Sequence, residues 1–165
     1  MVITFNGIKY RLDSDGCLLG ITNTSVFRKD AIIPKVFPNG KEVKLIDTKY
    51  QCAGPFAKII ISDDISTIWE GAFAVADVKE VVWSASCPVI PERCFSCSRI
   101  QNLSNIEQVT TIGVSAFAHA KRLKCLDLSK TFVYSLGEHC FEDLSPEVVV
   151  PSYYIDGSSF KQAFE

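Results

Sequence analysis

Apolar positions along this chain return on a long period, and the residues between them repeat in kind. Ile68-Trp69-Glu70-Gly71-Ala72-Phe73 has the form Ile-x-x-x-small-Phe, which returns at Ile90–Phe95, at Ile112–Phe117 and, led by leucine, at Leu136–Phe141. The four phenylalanines are 22, 22 and 24 residues apart. Three residues before each motif lies an apolar residue or a cysteine: Ile65, Cys87, Val109 and Val133. After each phenylalanine comes strand-like sequence: Val81-Val82-Trp83, Leu103-Ser104-Asn105, Leu126-Asp127-Leu128 and Val148-Val149-Val150. Ile59-Ile60-Ile61 stands 22 residues before the first of these. Four motifs in register with five strands make an internal repeat, the pattern that decides a fold before any other.

A unit of this length is one strand plus one return segment, and it cannot bury its apolar side alone. Stacking sets the strands side by side, so the repeat predicts a right-handed β/α solenoid, mostly β. It would carry a parallel strand ladder on one side and short helical turns on the return side. Successive strand residues face opposite ways. Val81 and Trp83 are expected inside with Ile59, Ile61, Leu126, Leu128, Val148 and Val150. The alternate residues face out: Lys58, Ile60, Glu80, Val82, Asn102, Ser104, Cys125, Asp127, Glu147 and Val149, with the small Ser62, Ser84 and Ser129 beside them. Asn105 falls at an inward position, where it either admits water or joins a polar ladder. A first, degenerate unit keeps Val43 and Ile46 but has Tyr50-Gln51 where small-Phe should stand.

The first 45 residues read differently. Val2-Ile3-Thr4-Phe5 and Ile8-Lys9-Tyr10-Arg11-Leu12 flank Asn6-Gly7, the pair that supplies the positive φ angles of a hairpin turn. Leu18–Ile21 and Ala31–Ile33 read as further strands. A stacked core must be closed at its ends, and no Pro/Gly/Ser-rich linker sets this stretch apart. The chain is therefore read as one domain: a β cap over 1–45, repeats of 22–24 residues over 46–150 and a closing cap over 151–165, whose helical form the family resemblance below implies.

Two stretches carry a family resemblance. Ile112-Gly113-Val114-Ser115-Ala116-Phe117 followed by Leu123-Lys124-Cys125-Leu126-Asp127-Leu128 resembles the BspA-like leucine-rich repeat. Ile33-Pro34 with Asn39-Gly40-Lys41-Glu42-Val43 resembles that family's opening strand and turn. Val150-Pro151 through Ser159-Phe160-Lys161-Gln162-Ala163-Phe164 resembles its closing segment and helix. The resemblance spans roughly residues 30–165 and implies a leucine-rich-repeat solenoid. It also implies an interaction or adhesion role, because proteins of this family are commonly surface or secreted adhesins of host-associated bacteria and protists.

Composition narrows the function classes. The chain has 165 residues, 47% apolar and 22% charged, with a formal net charge of −2. Such balance argues against a nucleic-acid binder, which would show a basic stripe, and no apolar run is long enough to cross a bilayer. Seven cysteines are an odd number, unlike the even sets of disulfide scaffolds. Cys94 and Cys140 occupy the slot of Ala72 and Ala116, and Cys87 that of Ile65, so all three read as core filler. Cys94-x-x-Cys97 lacks the second pair that a zinc site needs. His119 and His139 lie on the return side, away from the strand-borne Cys125, which leaves a thiol nucleophile without its base. No phosphate-binding glycine loop occurs. Neither a catalytic residue, a metal ligand nor a cofactor is assigned.

The resulting expectation is a non-catalytic, monomeric module that binds a protein or other macromolecule, such as a host extracellular protein, through the outward strand face. The expected contact residues are Lys58, Ile60, Glu80, Val82, Ser84, Asn102, Ser104, Cys125, Asp127, Glu147 and Val149. The alternatives are a structural spacer within a larger surface protein and, last, a cysteine-dependent enzyme. Reduced thiols and the lack of a leader in this chain favour the cytoplasm; the family resemblance favours secretion or the cell surface.

Overall fold

An Asn-Gly turn opens the chain. Asn6 and Gly7 take φ of 51° and 74°, as a type I′ turn requires. β1 (Val2–Phe5) thereby returns antiparallel as β2 (Ile8–Leu12), and β3 (Cys17–Thr22) joins β2 in the same sense. From there on, strands of the sheets pair in parallel. Next in order are β4 (Lys29–Ile33), β5 (Leu45–Ile46), β6 (Cys52–Ala53), β7 (Phe56–Ile61), β8 (Val78–Val82) and β9 (Val89–Ile90). They are followed by β10 (Asn102–Ser104), β11 (Thr111–Ile112), β12 (Cys125–Asp127), β13 (Ser135–Leu136), β14 (Glu147–Val149) and the helix α1 (Ser158–Phe164). The structure is a computed structural model and describes residues 1–144, 147–151 and 158–165.

Two parallel walls enclose the core. One is the sheet β10-β8-β7-β4, in which Leu103 stands opposite Val81 and Val81 opposite Ile59. The facing wall is the small ladder β13-β11-β9, which brings Leu136, Ile112 and Ile90 of successive motifs into register. Between the walls Phe73, Phe95, Phe117 and Phe141 form a column with ring centroids 5.7, 5.3 and 6.2 Å apart. Trp83 fills the space beside Phe95, and its indole N–H donates to the Cys87 carbonyl at 3.0 Å.

The return segments depart from the short helical turns that the repeat predicts. Each phenylalanine lies between two left-handed residues, one two places before it and one two places after: Gly71 and Val75, Arg93 and Cys97, Ser115 and His119, His139 and Asp143. This alternation sends neighbouring amides in different directions. The N–H groups of Ser115, Phe117 and His119 donate to Glu138, Cys140 and Glu142 of the next unit, at 3.0, 2.9 and 3.0 Å. Those of Ala116, Ala118 and Ala120 donate back three residues within their own unit. A helix would aim its amides along its own axis, toward carbonyls four residues back, and not across to the neighbouring coil. Overlapping turns do both.

Two further observations bear on the ends. β4 lies inside the 1–45 stretch yet pairs in register with β7, Ala31 opposite Ile59 and Ile33 opposite Ile61, as the first strand of the main sheet. At the other end, α1 accepts the axial amides of the last coil. Phe141 N–H donates to Ala163 at 2.7 Å, His139 N–H to Gln162 at 2.8 Å, and Phe164 extends the ring column 5.2 Å beyond Phe141. Residues 152–157, part of the predicted closing segment, lie outside the described residues.

Candidate functional site

The outward face of β4, β7, β8 and β10 carries two columns. One runs Asp30, Lys58, Glu80, Asn102; the other runs Ile32, Ile60, Val82, Ser104. Both follow from the pleat, which turns alternate residues outward, and from parallel pairing without slippage between β7, β8 and β10. Lys58 and Glu80 close an ion pair at 3.1 Å, which partly neutralises the polar column at its centre. The aliphatic column has no such partner. Ile60 and Val82 are half-buried, Ile32 is exposed at the edge, and Ser104 ends the row.

This places Lys58, Ile60, Glu80, Val82, Asn102 and Ser104 together, as the repeat predicts. Ser84 is a correction. Its side chain is fully buried, and Oγ donates to the Ile65 carbonyl of the preceding unit at 2.5 Å, because the chain turns inward at the end of β8. Cys125 and Asp127 are outward and exposed, but they do not continue the columns. β12 pairs with β14, not with β10, and the main sheet ends at β10. β10 ends after three residues at Asn105, whose φ is 60°. Its amide reaches backward, donating to the Trp83 carbonyl at 2.7 Å and to Asp63 Oδ1 at 3.0 Å. Of the two outcomes open for Asn105, the polar ladder is the one observed. A cleft of about 350 Å³ separates the sheets, lined by Leu103, Ser104 and Asn105 on one side and Cys125, Asp127 and Lys130 on the other. Val149 is half-buried on β14; Glu147 is placed there by its backbone, and its side chain lies outside the described residues.

Asp30 and Ile32 were absent from the expected face. The signal was weak: Ala31 precedes Ile59 by 28 residues, not 22, so β4 falls out of the period.

The family question turns on the whole array. The profile of the BspA type leucine rich repeat region matches residues 25–162, in six copies. The chain belongs to this family. The BspA type repeats begin ahead of residue 46 and take in β4, in keeping with its pairing to β7. No curated protein matches the chain significantly. Among solved structures, a leucine-rich repeat protein from Bacteroides capillosus is 17% identical with a TM-score of 0.52, covering 92% of this chain and 99% of that one. A leucine rich cell surface protein from Faecalibacterium prausnitzii is 22% identical with a TM-score of 0.58, covering 92% of this chain and 42% of its own length. Both likenesses concern the fold.

Within the BspA type repeats, the thiols divide by position. Cys52, Cys87, Cys94 and Cys140 are buried, while Cys97 and Cys125 are exposed, and none is joined in a disulfide. Burial pushes the Cys52 and Cys140 thiols up to about 12 and raises Cys87 and Cys94 as well. Cys94 and Cys97 therefore point to different environments despite their spacing. His119 Nδ1 lies 3.2 Å from Asp143, which Lys121 also contacts at 2.6 Å. These hydrogen bonds hold the Asp143 carboxyl below its usual range, first through Lys121 and then through His119. The three form a surface tie between adjacent BspA type coils. Among the described residues no helix is long and apolar enough to cross a membrane.

Proposed function

We propose that the chain is a non-catalytic binding module: a right-handed solenoid closed by an N-terminal β cap and the C-terminal helix, acting as a monomer. It takes a protein partner across the outward face of β4, β7, β8 and β10. The observation that carries the reading is the aliphatic column Ile32–Ile60–Val82, rimmed by Asp30, Lys58, Glu80, Asn102 and Ser104. Apolar residues grouped on a surface and ringed by polar ones favour association. Anchors in the centre supply affinity, and the surrounding charges supply selectivity. Edge-to-edge pairing of the strands fixes the backbone beneath these anchors, which lowers the ordering cost when a partner docks. Display at a cell surface fits the description of the Faecalibacterium relative.

The test is a pulldown comparing two sets of variants, each checked for folding by circular dichroism. Ile60→Asp and Val82→Asp should abolish capture of the partner retained by the unmodified chain. Glu70→Lys and Lys121→Glu, on the return side, should leave it unchanged. Loss in the second set with retention in the first would move the binding surface to the return wall.

A further inference from the structure

A second cleft lies on the outer side of the N-terminal sheet. It has a volume of about 220 Å³ and is lined by Val2 of β1, Lys9 and Arg11 of β2, Gly20 and Thr22 of β3, and Thr24 and Gln51 beyond them. Lys9 and Arg11 are two apart on one strand and so share a face. Thr22 is the cross-strand partner of Lys9, and Gly20 that of Arg11. No carboxylate lines the cleft, and β1, β2 and β3 contain none. Among the described residues neither Lys9 nor Arg11 enters an ion pair, although nine such pairs form elsewhere. One guanidinium nitrogen of Arg11 donates to the Leu19 carbonyl at 3.1 Å, which steadies the group and leaves its other donors available.

Gly20 is the second observation. A glycine inside a strand weakens it, and often marks a bulge or a place where another backbone or a ligand comes close. Gly20 lies outside the left-handed region, so its φ does not require glycine, and it borders the register shift of the β2–β3 ladder. Crowding does not require glycine either. An added Cβ would meet the Gln51 carbonyl oxygen at 3.4 Å, Gln51 Cβ at 3.5 Å and Arg11 Nη2 at 3.6 Å, which is ordinary contact. What the missing side chain provides is floor space between Arg11 and Gln51. The ladder shifts register between Arg11 and Leu12 at this same place, and such bulges re-aim side chains.

Two uncompensated cations over an open floor, flanked by two hydroxyls and an amide, are suited to an oxyanion with hydroxyl groups around it. Guanidinium and ammonium bind such groups through charge-assisted hydrogen bonds. The cleft offers no aromatic ring on which a nucleic-acid base could stack. We infer that this cleft binds the sulfate or phosphate ester of a saccharide, with Lys9 and Arg11 on the oxyanion and Thr22, Thr24 and Gln51 on the sugar hydroxyls.

The test is calorimetric titration of the full chain with N-acetylglucosamine 6-sulfate, N-acetylglucosamine 6-phosphate, unmodified N-acetylglucosamine and inorganic sulfate. The inference expects at least one ester to bind about tenfold or more tightly than the unmodified sugar and than inorganic sulfate; which ester binds identifies the source. Lys9→Gln and Arg11→Gln should each weaken that ester about tenfold, and Gly20→Ala, whose Cβ meets only ordinary contacts, should weaken it with the charge unchanged. Lys121→Gln should have no effect. Absence of binding by both esters, equal binding of the unmodified sugar, equal binding of inorganic sulfate, or insensitivity to Lys9→Gln and Arg11→Gln would each overturn it. Gln replacements at these two exposed positions do not touch the core, so folding does not confound the result.

Discussion

Cys94 and Cys140 show how far a single position can be understood from its sister positions. Both stand where Ala72 and Ala116 stand in neighbouring units, and all four are fully buried. Replacing either by alanine should cost about 1 kcal/mol or less, as near-isosteric core changes do. Native-state alkylation should label Cys97 and Cys125 and spare Cys52, Cys87, Cys94 and Cys140 until denaturant is added; rapid native labelling of Cys94 would refute its placement. Burial has a second effect, on alkaline stability. An unfolded thiol ionises near ~8.5, whereas Cys52 and Cys140 hold their protons up to about 12. The folded value is the raised one, so the stabilisation is complete below the unfolded value and is lost as pH rises through the folded value. Each thiol contributes a slope of at most roughly 1.4 kcal/mol per pH unit in that window. Urea midpoints measured from neutral to alkaline pH should fall, and Cys140→Ala should flatten the fall.

At the scale of the element, the return turns depend on how closely successive coils approach. A Cβ on Gly113 would come within 2.5 Å of the Glu92 amide nitrogen, and one on Gly137 within 2.3 Å of that of Val114. Backbone cannot yield as a side-chain tip would. Gly113→Ala and Gly137→Ala should therefore each destabilise the chain by about 1–3 kcal/mol through overpacking, read as a lower denaturation midpoint; an unchanged midpoint would mean the coils are not in contact there. The strands were legible because Ile59, Val81 and Leu103 recur at 22 residues and pleat alternation then sorts inside from outside. The turns were less so. Nothing in the residue types of Arg93, Ser115 or His139 announces a left-handed backbone, which is set by the pull of the next coil's carbonyls. Ser84 escaped for a related reason: past the end of β8 the alternation no longer governs, and the Ile65 carbonyl draws the hydroxyl inward.

The whole molecule depends on how its two ends are finished. β4 covers one edge of β7, and the N-terminal sheet packs Phe5 and Tyr10 around Phe37, at 5.9 and 5.0 Å. Removing residues 1–45 would strip that edge and leave an unpaired strand, a ready site for aggregation. Light scattering should show the truncated chain associating, or its unfolding losing cooperativity; a monomer with unchanged melting would show the segment to be an appendage. At the opposite end the closing helix was legible through the family resemblance, but the place of Phe164 in the ring column was not. Ala163-Phe164 repeats the small-Phe pair of every motif, but it lies in a helix of different geometry, and the leading Ile that would flag it is absent. Local spacing could not reveal the break between β10 and β12 either, because Leu126 follows Leu103 by 23 residues, almost the 22 that separate the strands that do pair.

The alternating amides of the return turns also restrict how such a chain can change in length. From the leading Ile or Leu to the Phe of every motif the distance is five residues, without exception. The connectors are looser: Phe to the next register-matched strand residue (Val81, Leu103, Leu126, Val148) takes 8, 8, 9 and 7 residues, and from Val81, Leu103 and Leu126 to the next motif takes 9, 9 and 10. A single inserted residue in a connector is absorbed by a loop. The same insertion between the two left-handed positions would reverse parity, pointing the amides meant for the neighbour back into their own turn and turning the ring out of its column. Insertions and deletions are thus confined to the rims of the coil, while whole units, whose upper and lower edges match, remain free to be copied or lost.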